Sequence, residues 1–108
     1  MATFDDYVNE LRKGVKKLAQ ELVDGLEADA LSDMNAFLKK SERDLQRWTK
    51  LLAAGKITKQ DFTDLVQAKK ALTELHELTR AGVAATKLER FRTDLISLVV
   101  DTAMKVYL

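Results

Sequence analysis

His76 is the only histidine in the chain, and imidazole is the side chain best suited to general acid–base work near neutral pH. To do chemistry it needs partners: an orienting base, a nucleophile to activate, or further ligands around a metal. A di-iron bundle would require two Glu-x-x-His pairs, and here Thr73 stands three residues before His76. Cysteine is absent, which excludes thiolate nucleophiles, thiolate metal sites and disulfides. The sequence also lacks calcium loops, glycine-rich phosphate loops and nucleophile elbows. His76 therefore reads as a boundary residue near the apolar side of a helix, packed for shape between Leu72 and Arg80 on neighbouring turns. No catalytic residue, cofactor or metal is expected, and the chain is not expected to be an enzyme.

Two other groups could bind rather than react. Arg12, Lys13, Lys16 and Lys17 form a basic block that could meet phosphates or anionic lipid, but acids flank it, as on an ordinary solvated helix face. Trp48 lies between Leu45 and Leu52 on one face and reads as core. The stretch "TKQDFTDLVQAKKAL" is explained by a helix cap followed by an amphipathic helix. It lacks the basic residues of a recognition-helix N-terminus. Eighteen basic against 17 acidic residues leave a net charge of +1. That balance does not favour nucleic acid, whose binders carry a clear basic excess.

The elements that must hold these residues are helical. Proline is absent and glycine occurs only four times, as in a chain built almost wholly of helix. The chain is 46% hydrophobic and 32% charged, the balance of a single soluble domain rather than a disordered or membrane-spanning segment. "MATFDDYVNE" has no apolar core of a secretory signal, and cytoplasmic residence is the expectation.

Two breaks stand out. Gly55 can end one helix; Thr58 with Asp61 then forms an acidic variant of the capping box, and Ile57 with Phe62 a hydrophobic staple. Gly82 ends another helix, with Val83 as its apolar contact and Thr86 with Glu89 as the next capping box. These signals predict a hairpin of two helices, at about residues 59–80 and 87–107. Upstream, Thr3 and Asp6 cap a helix whose Phe4, Val8, Leu11, Val15, Leu18 and Leu22 repeat at spacings of four and three, a heptad seam. The seam continues less strictly to Leu52. The expectation is an all-α fold in which one long helix, about residues 3–54 with room for a kink at Gly25, precedes the hairpin. The alternative breaks this run at Gly25 and gives a compact four-helix bundle.

A continuous helix of about 50 residues would be about 75 Å long, roughly twice the reach of the hairpin. Residues 33–108 would then form a three-helix bundle, and residues 1–32 would project as an arm with their seam uncovered. A second copy of the chain is the simplest cover. Antiparallel arms crossing near Leu22 would set the basic block against the partner's Glu21, Asp24, Glu27, Asp29 and Asp33. The last helix carries two apolar stripes. Leu88, Phe91, Leu95, Leu98, Val99, Thr102 and Val106 suit the chain's own bundle; Ile96, Val100, Ala103 and Tyr107 suit a second surface. The expected homodimer interface is thus Phe4, Val8, Leu11, Val15, Leu18, Leu22, Ile96, Val100, Ala103 and Tyr107.

These expectations point to a non-enzymatic helical interaction or scaffold protein acting as a homodimer, with room for a further protein partner. A second reading is a peripheral protein that lays its amphipathic helices on a membrane surface.

Overall fold

The last helix of the chain has apolar side chains around more than half of its circumference, and the fold is organised to cover them. A computed structural model describes residues 3–69 and 74–108. It contains five helices in the order α1 (Phe4–Leu22), α2 (Glu27–Ala53), α3 (Lys59–Gln67), α4 (His76–Arg80) and α5 (Ala85–Tyr107). No strand occurs among the described residues, so the all-α expectation holds. Helix α5 is central: α1 packs antiparallel along one side of it, α3 along another, and α2 lies against α1 and α5. Ion pairs mark the seams, with Lys105 to Glu10 at 3.5 Å between α5 and α1, and Lys59 to Asp101 at 3.4 Å between α3 and α5.

The single helix over residues 3–54 is replaced by two. A straight helix of about 75 Å does not fit a molecule whose longest extent is 41 Å. The chain leaves α1 at Val23 (φ −136°, ψ 52°), turns through Gly25 at φ +89°, and re-enters helix at Glu27. Only glycine takes that left-handed conformation without strain. Interrupting a helix forgoes about four backbone hydrogen bonds, each worth about 1 kcal/mol net. Folding back fully buries Tyr7, Leu11, Val15 and Ala19, and a large apolar side chain gains about 1.5–3 kcal/mol on burial. For one chain alone, the return outweighs the break.

The projecting arm is therefore absent, because residues 4–22 lie against α2 and α5 of the same chain. Close approach is built in at Gly14, where an added Cβ would come within 2.6 Å of the Leu98 side chain. The basic block finds its acidic counterpart inside the chain. Hydrogen bonds from the backbone N–H groups of Glu27 and Gly25 hold the Glu27 carboxyl below its usual range, and the Lys16 charge adds to this. Arg12 Nε donates to Asn35 Oδ1 at 3.2 Å.

Both breaks around the hairpin fall where expected. After α2, Lys56 N–H bonds Leu51 O at 2.9 Å and Gly55 N–H bonds Leu52 O at 3.1 Å; after α4, Val83 N–H bonds Leu78 O and Gly82 N–H bonds Thr79 O. Each pair is a Schellman closure of the last turn. Thr3 with Asp6 and Thr58 with Asp61 form complete capping boxes. The box expected at Thr86 is not formed. Helix α5 starts at Ala85 behind an Ala84 N-cap without a side-chain bond, so Thr86 already lies inside the helix.

The helix expected over residues 59–80 is also divided. Helix α3 ends at Gln67 and α4 begins at His76; Lys70, Ala71, Leu72 and Thr73, expected within that helix, lie outside the described residues. What anchors the new start is Asp33, a residue expected in an acidic block facing a partner's basic block. Its carboxylate is buried at 6% exposure. Oδ1 accepts from Glu77 N–H at 2.9 Å and Oδ2 from Leu78 N–H at 3.0 Å. Leu75, the N-cap of α4, supplies no side-chain bond, so a carboxylate from another helix does the capping. Leu75 and Leu78 bury themselves beside it. His76 is exposed at this end, 3.3 Å from Glu74, which also pairs with Lys40 at 3.1 Å. It is not packed on an apolar face. Trp48 is core, at 7% exposure, with the Lys69 ammonium 5.5 Å above its ring.

Two outcomes follow from this packing. Val100 and Leu95 are exposed by only 3% and 1%, and an unpaired buried ammonium costs several kcal/mol. Val100→Lys should therefore lower the melting temperature as severely as Leu95→Lys, by more than about 15 °C each in a domain of this size, followed by circular dichroism. Asp33→Ala should remove about 1–3 kcal/mol in chemical denaturation. Hydrogen exchange should speed up at Glu77 and Leu78 well before the amides of α5 are affected.

Candidate interaction cleft

The start of α1, the end of α2 and the end of α5 meet at one end of the bundle. The antiparallel return at Gly25 brings Phe4 alongside the last turns of α2, and α5 runs parallel to α2 to bring up Tyr107. Between them lies an open cleft of about 700 Å³ lined by Thr3, Phe4, Gln46, Thr49, Lys50, Ala53, Ala54, Val106 and Tyr107. Its lining is mostly apolar, and Lys50 is the one charged residue in it. Sites that hold ligands or peptides commonly combine apolar walls with a few polar groups in this way.

Tyr7 supports one wall from within. Its ring is fully buried and tilts against both Phe4 and Tyr107, with centroids 5.8 Å away in each case. Such tilted aromatic pairs are favourable beyond their buried area. The Tyr7 hydroxyl donates to Val99 O at 2.9 Å, a buried bond that ties α1 to α5. Burial pushes the Tyr7 phenol well above its ordinary range, and the neighbouring Tyr107 adds to the shift. The Tyr107 phenol is also raised, chiefly by burial, with the Thr49 side chain opposing and the Asp6 charge reinforcing. Thr49 sits at the floor, 1% exposed, its hydroxyl donating to Leu45 O at 2.8 Å. Next to the cleft Leu108 is 67% exposed.

The ten residues expected at a homodimer interface are dispersed by this arrangement. Leu11, Val15, Val100 and Ala103 are buried in the chain's own core. Ile96 and Val100 face α3, lining a shallow groove with Lys59 and Thr63. Val8, Leu18 and Leu22 are half-buried along α1. Only Phe4 and Tyr107 come together in the cleft. Its α2 wall, from Gln46 to Ala54, escaped the sequence reading, because it becomes a wall only once α1 has folded back. Exposed alanines at a helix end carry no signal of their own.

Ser41 Oγ is buried without a hydrogen-bond partner, so no base stands ready to activate it. Among the described residues no three His, Asp or Glu side chains gather as a metal cluster, and no helix is long and apolar enough to cross a membrane.

The two tyrosines set an alkaline limit. In the unfolded chain a phenol ionises near pH 10, whereas both native phenols hold their protons to higher pH. Above about pH 10 the unfolded state therefore binds fewer protons, and stability that is complete below that pH falls as pH rises. Tyr7 should contribute a slope of up to about 1.4 kcal/mol per pH unit, and the partly exposed Tyr107 a smaller one. Tyr7→Phe should cost about 1 kcal/mol at neutral pH through the lost bond to Val99 and flatten the alkaline limb, as read by urea denaturation from pH 8 to 11. No protein family, curated protein or solved structure matches this chain.

Proposed function

We propose that the chain is a non-enzymatic helical interaction protein of the cytoplasm, and that its binding surface is the cleft at the α1–α2–α5 end. The cleft itself carries this reading: aromatic and aliphatic walls made by three helices, with a single lysine at the rim. Lys50 forms no ion pair with the described residues. The occupant that matches is an amphipathic segment of a partner protein, with apolar anchors for the groove and a carboxylate for Lys50. An ion pair on an exposed rim adds at most about 1 kcal/mol, so Lys50 serves selectivity and the apolar walls supply most of the affinity.

The test uses two synthetic helical peptides with the same apolar face, one with glutamates and one with lysines on its polar face, titrated into the isotope-labelled protein. The acidic peptide should shift the amide resonances of Gln46, Lys50, Ala53, Val106 and Tyr107, and bind about three- to tenfold more tightly than the basic one. Lys50→Glu should reverse that order. Equal binding of both peptides, or shifts centred on other helices, would sink the proposal. Binding to anionic vesicles in place of either peptide would favour a membrane surface as the occupant.

A further inference from the structure

The turn between α1 and α2 joins two helices that a small conformational change would make into one. We propose that this chain forms a domain-swapped dimer in which the Val23–Leu26 turn straightens, α1 and α2 become a continuous helix, and each α1 packs on α2 and α5 of a second copy. The cleft at the opposite end of the bundle plays no part in this inference.

Three observations carry it. The first is how little specifies the turn. Helices α1 and α3 start with complete capping boxes, whereas α2 starts at Glu27 behind a Leu26 N-cap that makes no side-chain bond, and α1 ends with no basic residue in its last turn. Between them Val23 (φ −136°, ψ 52°) and Leu26 (φ −115°, ψ 25°) leave helical geometry at negative φ, only Gly25 takes a positive φ, and one side-chain bond, Gly25 N–H to Glu27 Oε1 at 3.3 Å, spans the turn. Opening this turn restores backbone hydrogen bonds that the break removed.

The second is that the contacts holding α1 to α5 survive exchange. Tyr7 to Val99, Glu10 to Lys105 and the fit of Gly14 against Leu98 would be the same between two chains as within one. Swapping therefore buries the same surface as the closed monomer. The equilibrium rests on the turn and on concentration. Short connections that can straighten are the usual hinges of such exchange.

The third is symmetry about the turn. Arg12 bonds Asn35, and these residues stand eleven and twelve positions from Val23. An antiparallel hairpin with such pairing has the register that two continuous helices would have if they crossed antiparallel near Val23. The basic residues Arg12 and Lys16 of one chain would face Asn35 and Glu27 of the other, and the heptad seam of α1 would be buried between chains.

The experiment acts on the turn and reads the exchange directly. An added Cβ at Gly25 meets nothing within 4 Å, so Gly25→Ala is penalised only through its φ of +89°, while alanine favours the continuous helix. Each hinge should shift the equilibrium by about tenfold or more, and two hinges should lower the dimer dissociation constant by about 100-fold or more. Sedimentation equilibrium measures this on the full chain. Equal amounts of isotope-labelled and unlabelled chains are then refolded together and treated with a zero-length carbodiimide, which joins Glu10 to Lys105. In a swapped dimer about half of those cross-linked peptides should be isotopically mixed. A Gly25→Ala chain that stays monomeric, or a dimer whose Glu10–Lys105 cross-links are all of one isotope, would overturn the proposal. If Gly25→Ala does not fold, the wild-type chain refolded at rising concentration decides: mixed cross-links should increase with concentration, and their absence at millimolar chain would equally overturn it.

Discussion

Helix α5 cannot be covered by one neighbour. Phe91, Leu95, Val99, Val100, Thr102 and Ala103 are all buried on it, and an arc this wide needs protein on at least two sides. In a single chain of this length the cover comes from α1 on one side and α3 on the other, with α2 closing the remaining gap. Supplying α1 requires the chain to reverse between Leu22 and Glu27. The reversal at Gly25 is thus a consequence of the apolar arc, and the turn is placed where the first helix has just become long enough to span α5.

The same requirement explains the short fourth helix. Once α3 lies along α5, the following segment has to return across α2, and a helix of five residues cannot stabilise its own start. Asp33 solves this by accepting from two consecutive amide protons of α4 while Leu75 and Leu78 fill the space around it. A buried carboxylate is costly unless its oxygens are satisfied, and here each oxygen has a donor. Polar and apolar contacts therefore fix the same segment to the same face of α2.

This packing leaves one mostly apolar cleft open at an end of the bundle. The groove formed by Phe4, Ala53, Ala54, Val106 and Tyr107 combines residues far apart in the chain, and its only rigid backing is the ring of Tyr7. The end of the bundle with this cleft is well ordered by capping and aromatic contacts. The other end, at Val23–Leu26, is held by a single glycine turn with no side-chain cap at the start of α2. The two ends of the bundle thus differ in how their helix ends are specified.

The residues by themselves determined the all-α class, the capped starts at Thr3 and Thr58, the stops at Gly55 and Gly82, and the core position of Trp48, because caps, turns and periodicity are local. The heptad seam and the double stripe of α5 were equally legible as surfaces needing cover. What covers them was decided by tertiary structure. A seam reads the same whether its partner is another chain or a helix of the same chain beyond a turn, and one glycine among helix-formers does not separate the two. In the folded chain Tyr7, Leu11, Val15 and Ala19 are covered by α2 and α5, which reach them only beyond the turn at Gly25. Likewise Asp33 looks like any acid on a helix, and Thr86 like any cap. The role of Asp33 was set by the Glu77 and Leu78 amides brought within reach from elsewhere, and that of Thr86 by a helix already started at Ala85, which no local pattern encodes.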